Sequence, residues 1–384
     1  MNAQHLRILK DLLSLPTAPF AEHRIIDYVR AFCRERTGVR FTQDRFGNVL
    51  LRLGRARRRP LVLAAHMDHP GFIAERMIGK ELVRAAWHGG VEPAYFIGAK
   101  VRFFSGSQPV RGEVVRIQTA VIPGPAQRRE RVTRADIRVA REVKTGAVGM
   151  WNFPDTAIRG HRIRARGCDD IAGVAAALAC VDELVRRHGS PNLCVLLTRA
   201  EEVGFAGAIA AANDRSLPAD AIIVAIECSA ERPHVRMGSG PILRVGDHTS
   251  VFTPAATAWC RTIAETVATT DSTFTFQRAL MDGGTCESSV YCEFGYAATG
   301  VCIALGNYHN MAASRRRLTP ETVDLRDWTN MVRWFVAMAT TETRYDGTQP
   351  GLRRRLRNLG RRYHAALKAT ARTPGRVSHP EPTR

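Results

Sequence analysis

Lysine is scarce in this chain. Of its 56 basic residues only Lys10, Lys80, Lys100, Lys144 and Lys368 are Lys, and the rest are Arg. So one-sided a bias reads as coding composition as much as selected phosphate binding. The net charge of +20 over 384 residues therefore does not by itself mark a nucleic-acid binder. No run approaches the ~18 apolar residues that a membrane-spanning helix needs. The start, MNAQHLRILKDLLSLP, shows neither the apolar core nor the cleavage site of a secretory signal. Nine Cys, an odd number with no C-x-x-C pair, argue against a disulfide framework. Cys180, Cys194 and Cys302 sit in apolar runs, where Cys acts as a small core hydrophobe, so a reducing cytoplasm is expected. What remains is an ordinary globular balance, 45% hydrophobic and 24% charged with 31 Gly and 19 Pro. That supports one large domain and a smaller one.

The texture changes twice along the chain. Residues 4–37 carry helical periodicity broken at Pro16–Pro19, then FGNVLLRLG and LVLAAH read as strands across a polar turn. Residues 71–159 alternate apolar and polar in short runs such as VRFFSG and RGEVVRIQT, the pattern of a small β domain or barrel. From 169 the chain alternates long helices with continuous apolar strands: DDIAGVAAALACVDELVRRHG, NLCVLLTRA, GFAGAIAAAND, AIIVAIE, AATAWCRTIAETVATT, TFTFQ and GVCIAL. A long helix is expected over about Pro320–Thr343. These signals predict an α/β fold, a mostly parallel central sheet flanked by helices, with an inserted small β domain. The expected divisions are 1–70 with 160–343, the insert 71–159, and a basic C-terminal extension 344–384.

Acids and imidazoles fall where buried strands end. LVLAAH ends at His66 with Asp68 two residues on, VLLTRA runs into Glu201-Glu202, AIIVAI into Glu227, and GVCIALGNY into His309. Asp169-Asp170 opens the long helix. Alone, each has a structural explanation: a helix start, an N-cap, a satisfied surface His. Together, at the carboxyl ends of strands where α/β proteins bind ligands, they carry too much charge to bury without a cation. Two imidazoles and three carboxylates suit a pair of divalent ions, zinc first, with cobalt or manganese compatible. The Glu201-Glu202 pair then supplies one ligand and one base.

The ordered set AAHMDHPG, GCDDIAG, RAEEVGFAGA, VAIECSA, GSGPILRVGD, MDGGTCESSV and GNYHN resembles the co-catalytic dizinc aminopeptidases of the glutamyl aminopeptidase or TET type, over roughly residues 5–340. Spacing favours them over the related deacylases. Between His66 and Asp169 lie 102 residues, room for a β domain, and between Glu227 and His309 only 81. The resemblance implies that His66 and Glu227 bind one metal and Glu202 and His309 the other. Asp169 bridges them, the 169–170 peptide is strained or cis, Asp68 orients His66, and Glu201 is the general base. It implies peptide-bond hydrolysis on a peptide or amide substrate and a homo-oligomer, commonly a dodecameric shell. Four positions depart from the pattern: Glu227 for the usual Asp, His69 for the acid after His-x-Asp, Cys286 with Glu287 for the Asp after Gly-Gly-Thr, and no clear counterpart in GNYHN of the Arg two residues before the final Tyr-x-His. They keep open an N-acyl amino acid deacylase or amidohydrolase with the same dimetal site.

The charge is concentrated at the end. Arg344–Arg384 holds eleven basic residues and two acids, +9, and the first 343 residues carry +11. Such a tail can bind nucleic acid or an anionic surface. Leu352, Leu356 and Leu359, on another face from the Arg cluster, read as readily as a docking helix. A solvated or subunit-contacting tail is the first reading; a protein that binds nucleic acid or a membrane through its arginines is the alternative, and among partners no membrane is expected.

Overall fold

The computed structural model describes residues 2–54, 59–106, 108–122, 129–189, 191–312, 316–345 and 350–371. Most of the polar 54–60 turn and the 372–384 end of the basic tail lie outside them. The chain forms two compact units, residues 1–344 and 345–384.

The first unit opens with helices α1 (Ala3–Ser14) and α2 (His23–Arg34), then strands β1 (Val39–Gln43), β2 (Val49–Leu53) and β3 (Leu61–His66). Six strands follow: β4 (Gly71–Gly79), β5 (Leu82–His88), β6 (Lys100–Phe104), β7 (Val110–Ile122), β8 (Arg129–Val139) and β9 (Val148–Trp151). They close a barrel in the order β4-β5-β8-β7-β6-β9. The chain returns through β10 (Ala157–Arg159) and β11 (Arg162–Ala165) to α3 (Ile171–Arg186), β12 (Leu193–Thr198), α4 (Ala206–Asn213), β13 (Ile222–Ala230) and β14 (Ile242–Gly246). Next come α5 (Pro254–Thr270), β15 (Gln277–Leu280), α6 (Glu287–Glu293), β16 (Ala297–Leu305), the short pair β17 (Met311–Ala312) and β18 (Arg317–Leu318), β19 (Glu321–Asp324) and α7 (Leu325–Thr340). The second unit holds α8 (Pro350–Thr370).

The eight-stranded sheet runs β1-β2-β12-β3-β13-β16-β14-β15. It is mixed, and the expectation of a mostly parallel sheet holds in part. The centre is parallel, with β12–β3, β3–β13 and β13–β16 pairing that way. Towards the edges β14–β15 is parallel as well, whereas β1–β2, β2–β12 and β14–β16 are antiparallel. Apolar continuity reports that both faces are covered, and β3 and β12 are indeed buried at every residue. It does not report direction. The tight 44–48 turn leaves no length for the crossover a parallel β1–β2 pair would need.

Helix α3 is buried at nearly every position through Leu184. Its alanines let it approach the sheet closely, while Val174, Leu178 and Val181 supply apolar bulk. Trp328 on α7 packs there and donates from Nε1 to the Ala172 carbonyl at 2.8 Å, so its one polar atom is satisfied. Two expected bounds move. Residues 321–324 form β19, antiparallel to β11, and Asp324 then caps α7 by accepting from Arg326 N at 2.8 Å. The strand expected at TFTFQ begins only at Gln277, because Phe274 turns into the core, edge-on to Trp334 at 6.3 Å. The barrel has its own core, where Phe72, Trp87, Phe96 and Trp151 meet with ring centroids 4.5 to 6.1 Å apart.

Candidate metal centre

Four parallel strands bring their carboxyl ends together. His66 is the last residue of β3 and lies in register with Thr198, the last of β12. Glu227 stands on β13 opposite Cys302 of β16. Beyond β16 the backbone passes through left-handed conformations at Asn307, His309 and Asn310 (φ 59°, 50° and 66°), which L-residues adopt at a cost on the order of 1–2 kcal/mol each. Asn310 holds this turn in place: its buried amide donates to the carbonyls of Arg166 at 2.7 Å and Thr319 at 3.2 Å. Asp169 and Asp170 lie between β11 and α3, joined by a cis peptide. Two glycines of this segment make room. A Cβ at Gly173 would sit 2.2 Å from Asp170 Oδ1, and one at Gly167 would sit 2.6 Å from the His69 ring.

The result is one cluster. His66 Nε2 is 3.6 Å from Asp169 Oδ1, and His309 Nε2 is 3.8 Å from Asp169 Oδ2, so each oxygen of one carboxylate faces a different imidazole. Glu202 Oε2 is 3.2 Å from His309 Nε2, and Glu201 Oε2 is 3.9 Å from His66 Nε2. His66, Asp169 and Glu227 form one group with ligand atoms within 4.8 Å of one another, and Asp169, Glu202 and His309 form another. His66, Glu201 and Glu202 form a third, and Asp169, Asp170 and Cys228 a fourth. Both outer imidazole nitrogens are engaged by carbonyls: His309 Nδ1 with Gly90 O at 3.0 Å, at the end of the barrel strand β5, and His66 Nδ1 with Asp68 O at 3.0 Å. Each ring is thereby set to turn its Nε2 inward. Asp68, fully buried, does a second job. Its two oxygens accept Glu201 N at 3.0 Å and Glu202 N at 3.1 Å, pinning the turn that carries both acids.

The electrostatics describe a site short of positive charge. Burial pushes the Glu227 carboxyl up to about 8, with Asp169 adding to the rise. Burial also raises Glu201, helped by the negative charges of Glu227 and Glu202. Burial works against charge on His309, yet Glu202 and Asp169 lift it to about 9. Burial opposes charge on Asp169 too, but the hydrogen bond and charge of His66 hold it low. Glu202 Oε1 and Asp170 Oδ2 are buried without a hydrogen-bond partner. A mixed imidazole–carboxylate set with both Nε2 atoms turned inward and orphaned carboxylate oxygens fits divalent cations of the zinc type.

Several supporting residues carried no local signal. Glu321, buried at the start of β19, accepts from Cys168 N at 2.6 Å and Asp169 N at 3.1 Å, and so fixes the Asp169 backbone from behind. The stretch reads as helix in the sequence, which hid it. Glu22 accepts from Ala200 N at 3.0 Å and pairs with Arg199 at 2.8 Å. Cys228 lies against the cluster as a thiol whose ionisation burial suppresses, donating toward the Cys168 carbonyl. At the departing positions, His69 bridges Asp169 O at 2.8 Å and Asn310 Oδ1 at 3.2 Å, a structural contact. Cys286 donates its N–H to Asp247. Glu287 is tied to Thr198 at 2.5 Å and Tyr291 at 3.1 Å and belongs to none of the ligand groups found among the described residues.

A cavity of about 230 Å³ opens beside Glu227, lined by Ser229, Arg232, Arg244, Met281, Thr285 and Tyr308. A larger cleft of about 680 Å³ lies between α3, α5 and α7, but none of the clustered acids or imidazoles reaches it. Chemistry therefore places the candidate site at the smaller cavity.

A mixed α/β sheet with an inserted barrel and an acid–imidazole cluster at its strand ends has the make-up of a metal-dependent hydrolase, and comparison with known proteins places it among the peptidases. The profile of the M42 glutamyl aminopeptidase family matches residues 47–317, and the chain belongs to that family. A curated relative described as a putative aminopeptidase of Acetivibrio thermocellus is 25% identical over 223 residues, 55% of this chain and 64% of the relative. The chain thus matches less than two thirds of that protein's length. Among solved structures, aminopeptidase APDkam598 from the archaeon Desulfurococcus kamchatkensis has a TM-score of 0.71 at 23% identity, over 90% of this chain and 96% of its own. The Pyrococcus horikoshii TET1 peptidase, which can assemble into a tetrahedron or a large octahedral shell, has a TM-score of 0.70 at 20% identity, over 87% and 99%. At such identities these likenesses show the fold.

Proposed function

We propose that the protein is a metal-dependent aminopeptidase that removes residues from the N-terminus of peptides. The observation that carries this is Asp169, with one oxygen toward His66 and the other toward His309, the arrangement of a carboxylate shared by two ions. His66 and Glu227 would hold one divalent ion, Glu202 and His309 the second, and Asp169 would bridge them, zinc being first among zinc, cobalt and manganese. When bound, the pair supplies Lewis acidity toward the scissile carbonyl and lowers the pKa of water at the site. Glu201 takes the proton of the attacking water and returns it to the leaving amine, a role its burial-raised pKa suits. Asp68 positions Glu201 and Glu202 through their backbone N–H groups. The Glu227 cavity receives part of the substrate, with Arg232 and Arg244 in its wall.

The catalytic domain in this reading comprises residues 1–70 and 160–343, with 71–159 as an inserted barrel domain. The shell-forming relative supports a homo-oligomer as the working assembly. All nine cysteines are free thiols, which suits a reducing cytoplasm. Metal analysis of the purified chain, paired with assays on aminoacyl and N-acetylated amino acid substrates, tests the reading. Two bound transition ions and turnover of free-amine substrates are expected. Turnover of only the blocked substrates would move the protein to the deacylase alternative. Fewer than two ions with no hydrolysis would overturn the dimetal peptidase reading.

A further inference from the structure

The chemistry of helix α8 is sharply divided. Seven of its 21 residues are Arg or Lys and none is Asp or Glu. At 100° per residue, Leu352, Leu356, Leu359, Tyr363 and Leu367 fall within an arc of about 80°. Arg353 and Arg355 flank that arc on its two sides, and Arg354, Arg357, Arg361 and Lys368 occupy the opposite face. The apolar stripe is exposed, to 57% at Leu356 and 68% at Leu367. Within its own unit no other described element is present to cover it.

We propose that α8 is an interfacial helix that lies on an anionic lipid bilayer, leucines in the acyl boundary and cations among the headgroups. Charge selects this occupant. A second copy of α8 would bring two helices of seven positive charges together, with no acid on either to offset them. A polynucleotide would satisfy the arginines but leave the leucine stripe in water. An anionic bilayer satisfies both faces at once: the apolar arc is buried a few ångströms deep, and the flanking Arg353 and Arg355 extend their stems along it to reach the phosphates. Tyr363, in the middle of the arc with the Arg362 guanidinium 5.5 Å from its ring, has the amphipathic character that favours the headgroup level. No helix among the described residues is long and apolar enough to cross a membrane, and interfacial binding requires none. The proposal takes up the alternative of membrane binding through the Arg-rich tail, against the expectation of no membrane partner. It is independent of the peptidase reading.

The test is co-sedimentation of the full chain with phosphatidylcholine vesicles, with and without phosphatidylserine. The comparison variants are Leu356→Gln with Leu359→Gln, and Arg354→Gln with Arg357→Gln and Arg361→Gln. The native chain is expected to pellet with the phosphatidylserine vesicles and to stay in the supernatant with pure phosphatidylcholine. The leucine variant should lose about tenfold or more in partitioning, and the arginine variant about fivefold per charge removed. Unchanged thermal melting of both variants confirms that residues 1–344 remain folded. Failure of the native chain to bind phosphatidylserine vesicles at low salt overturns the proposal. So does binding that the leucine variant retains in full, or tighter binding to single-stranded polynucleotide with the leucines irrelevant. A leucine-dependent self-association without vesicle binding would assign the face to a second copy instead.

Discussion

The two adjacent glutamates after β12 are assigned different work, and isosteric substitution separates them. Glu201→Gln keeps the shape and both backbone contacts, because Asp68 grips the N–H groups of residues 201 and 202, not their side chains. Glu201 Oε2 stands 3.9 Å from the nearest imidazole nitrogen, whereas Glu202 Oε2 stands 3.2 Å from His309 and its other oxygen is buried without a partner. Removing a general base costs roughly 10²–10⁴ in rate, or about 3–5 kcal/mol of activation free energy at 1.36 kcal/mol per decade. The expected outcome for Glu201→Gln is therefore a kcat lowered by about 10²–10⁴, a KM within a few-fold of native and an unchanged metal content. Glu202→Gln should instead lower metal content, with activity partly restored by excess zinc. The assay is steady-state kinetics on an aminoacyl substrate beside elemental analysis of dialysed protein. Glu201→Gln retaining more than a tenth of native kcat would refute the assignment. Metal loss in Glu201→Gln with retention in Glu202→Gln would exchange the two roles.

Further outcomes follow from the same geometry. Asp68→Asn offers one carbonyl oxygen and one amide group to two backbone donors, so one hydrogen bond to a charge is lost at a cost of about 1.5–3 kcal/mol. Thermal melting should fall and kcat drop with it, and a melt matching the native chain would contradict the contact. Metal uptake should release protons, because His309 at about 9 and Glu227 at about 8 both hold theirs at pH 7 before an ion arrives. Calorimetry in buffers of differing ionisation enthalpy should report net proton release at pH 7, declining as pH rises through 8 and 9. Release that does not change with pH would remove those two groups from the ligand set. Phe72→Ala opens the aromatic centre of the barrel and should destabilise by about 3–5 kcal/mol, read by denaturant unfolding. A change below about 1 kcal/mol would show that the barrel collapses around the gap.

Particular residues show what sequence reasoning reaches. His66, Asp169, Glu201-Glu202, Glu227 and His309 each follow or precede an element whose periodicity is unmistakable, so their placement at strand ends can be read along the chain. The alternating texture of residues 71–159 announced a β insert for the same reason: side chains on a pleated strand alternate between core and exterior. Strand direction in β1, β2 and β14 carried no such signal, since an apolar run looks alike whichever way it runs. Residues 321–324 were hidden in a helical pattern because four residues are too few to establish a period.

By itself the sequence determined the order and spacing of the acid and imidazole groups, the insert between the first His and the Asp, and the divided character of α8. Local periodicity and side-chain chemistry suffice for these. Tertiary structure decided which atoms hold the cluster in place. Glu321 supports Asp169 across 152 residues, Asp68 supports Glu201 across 133, and Gly90 of the barrel segment holds His309 across 219. Such contacts join buried carboxylates and backbone groups far apart in the chain, and only the packed fold, which denies those groups water, makes them necessary.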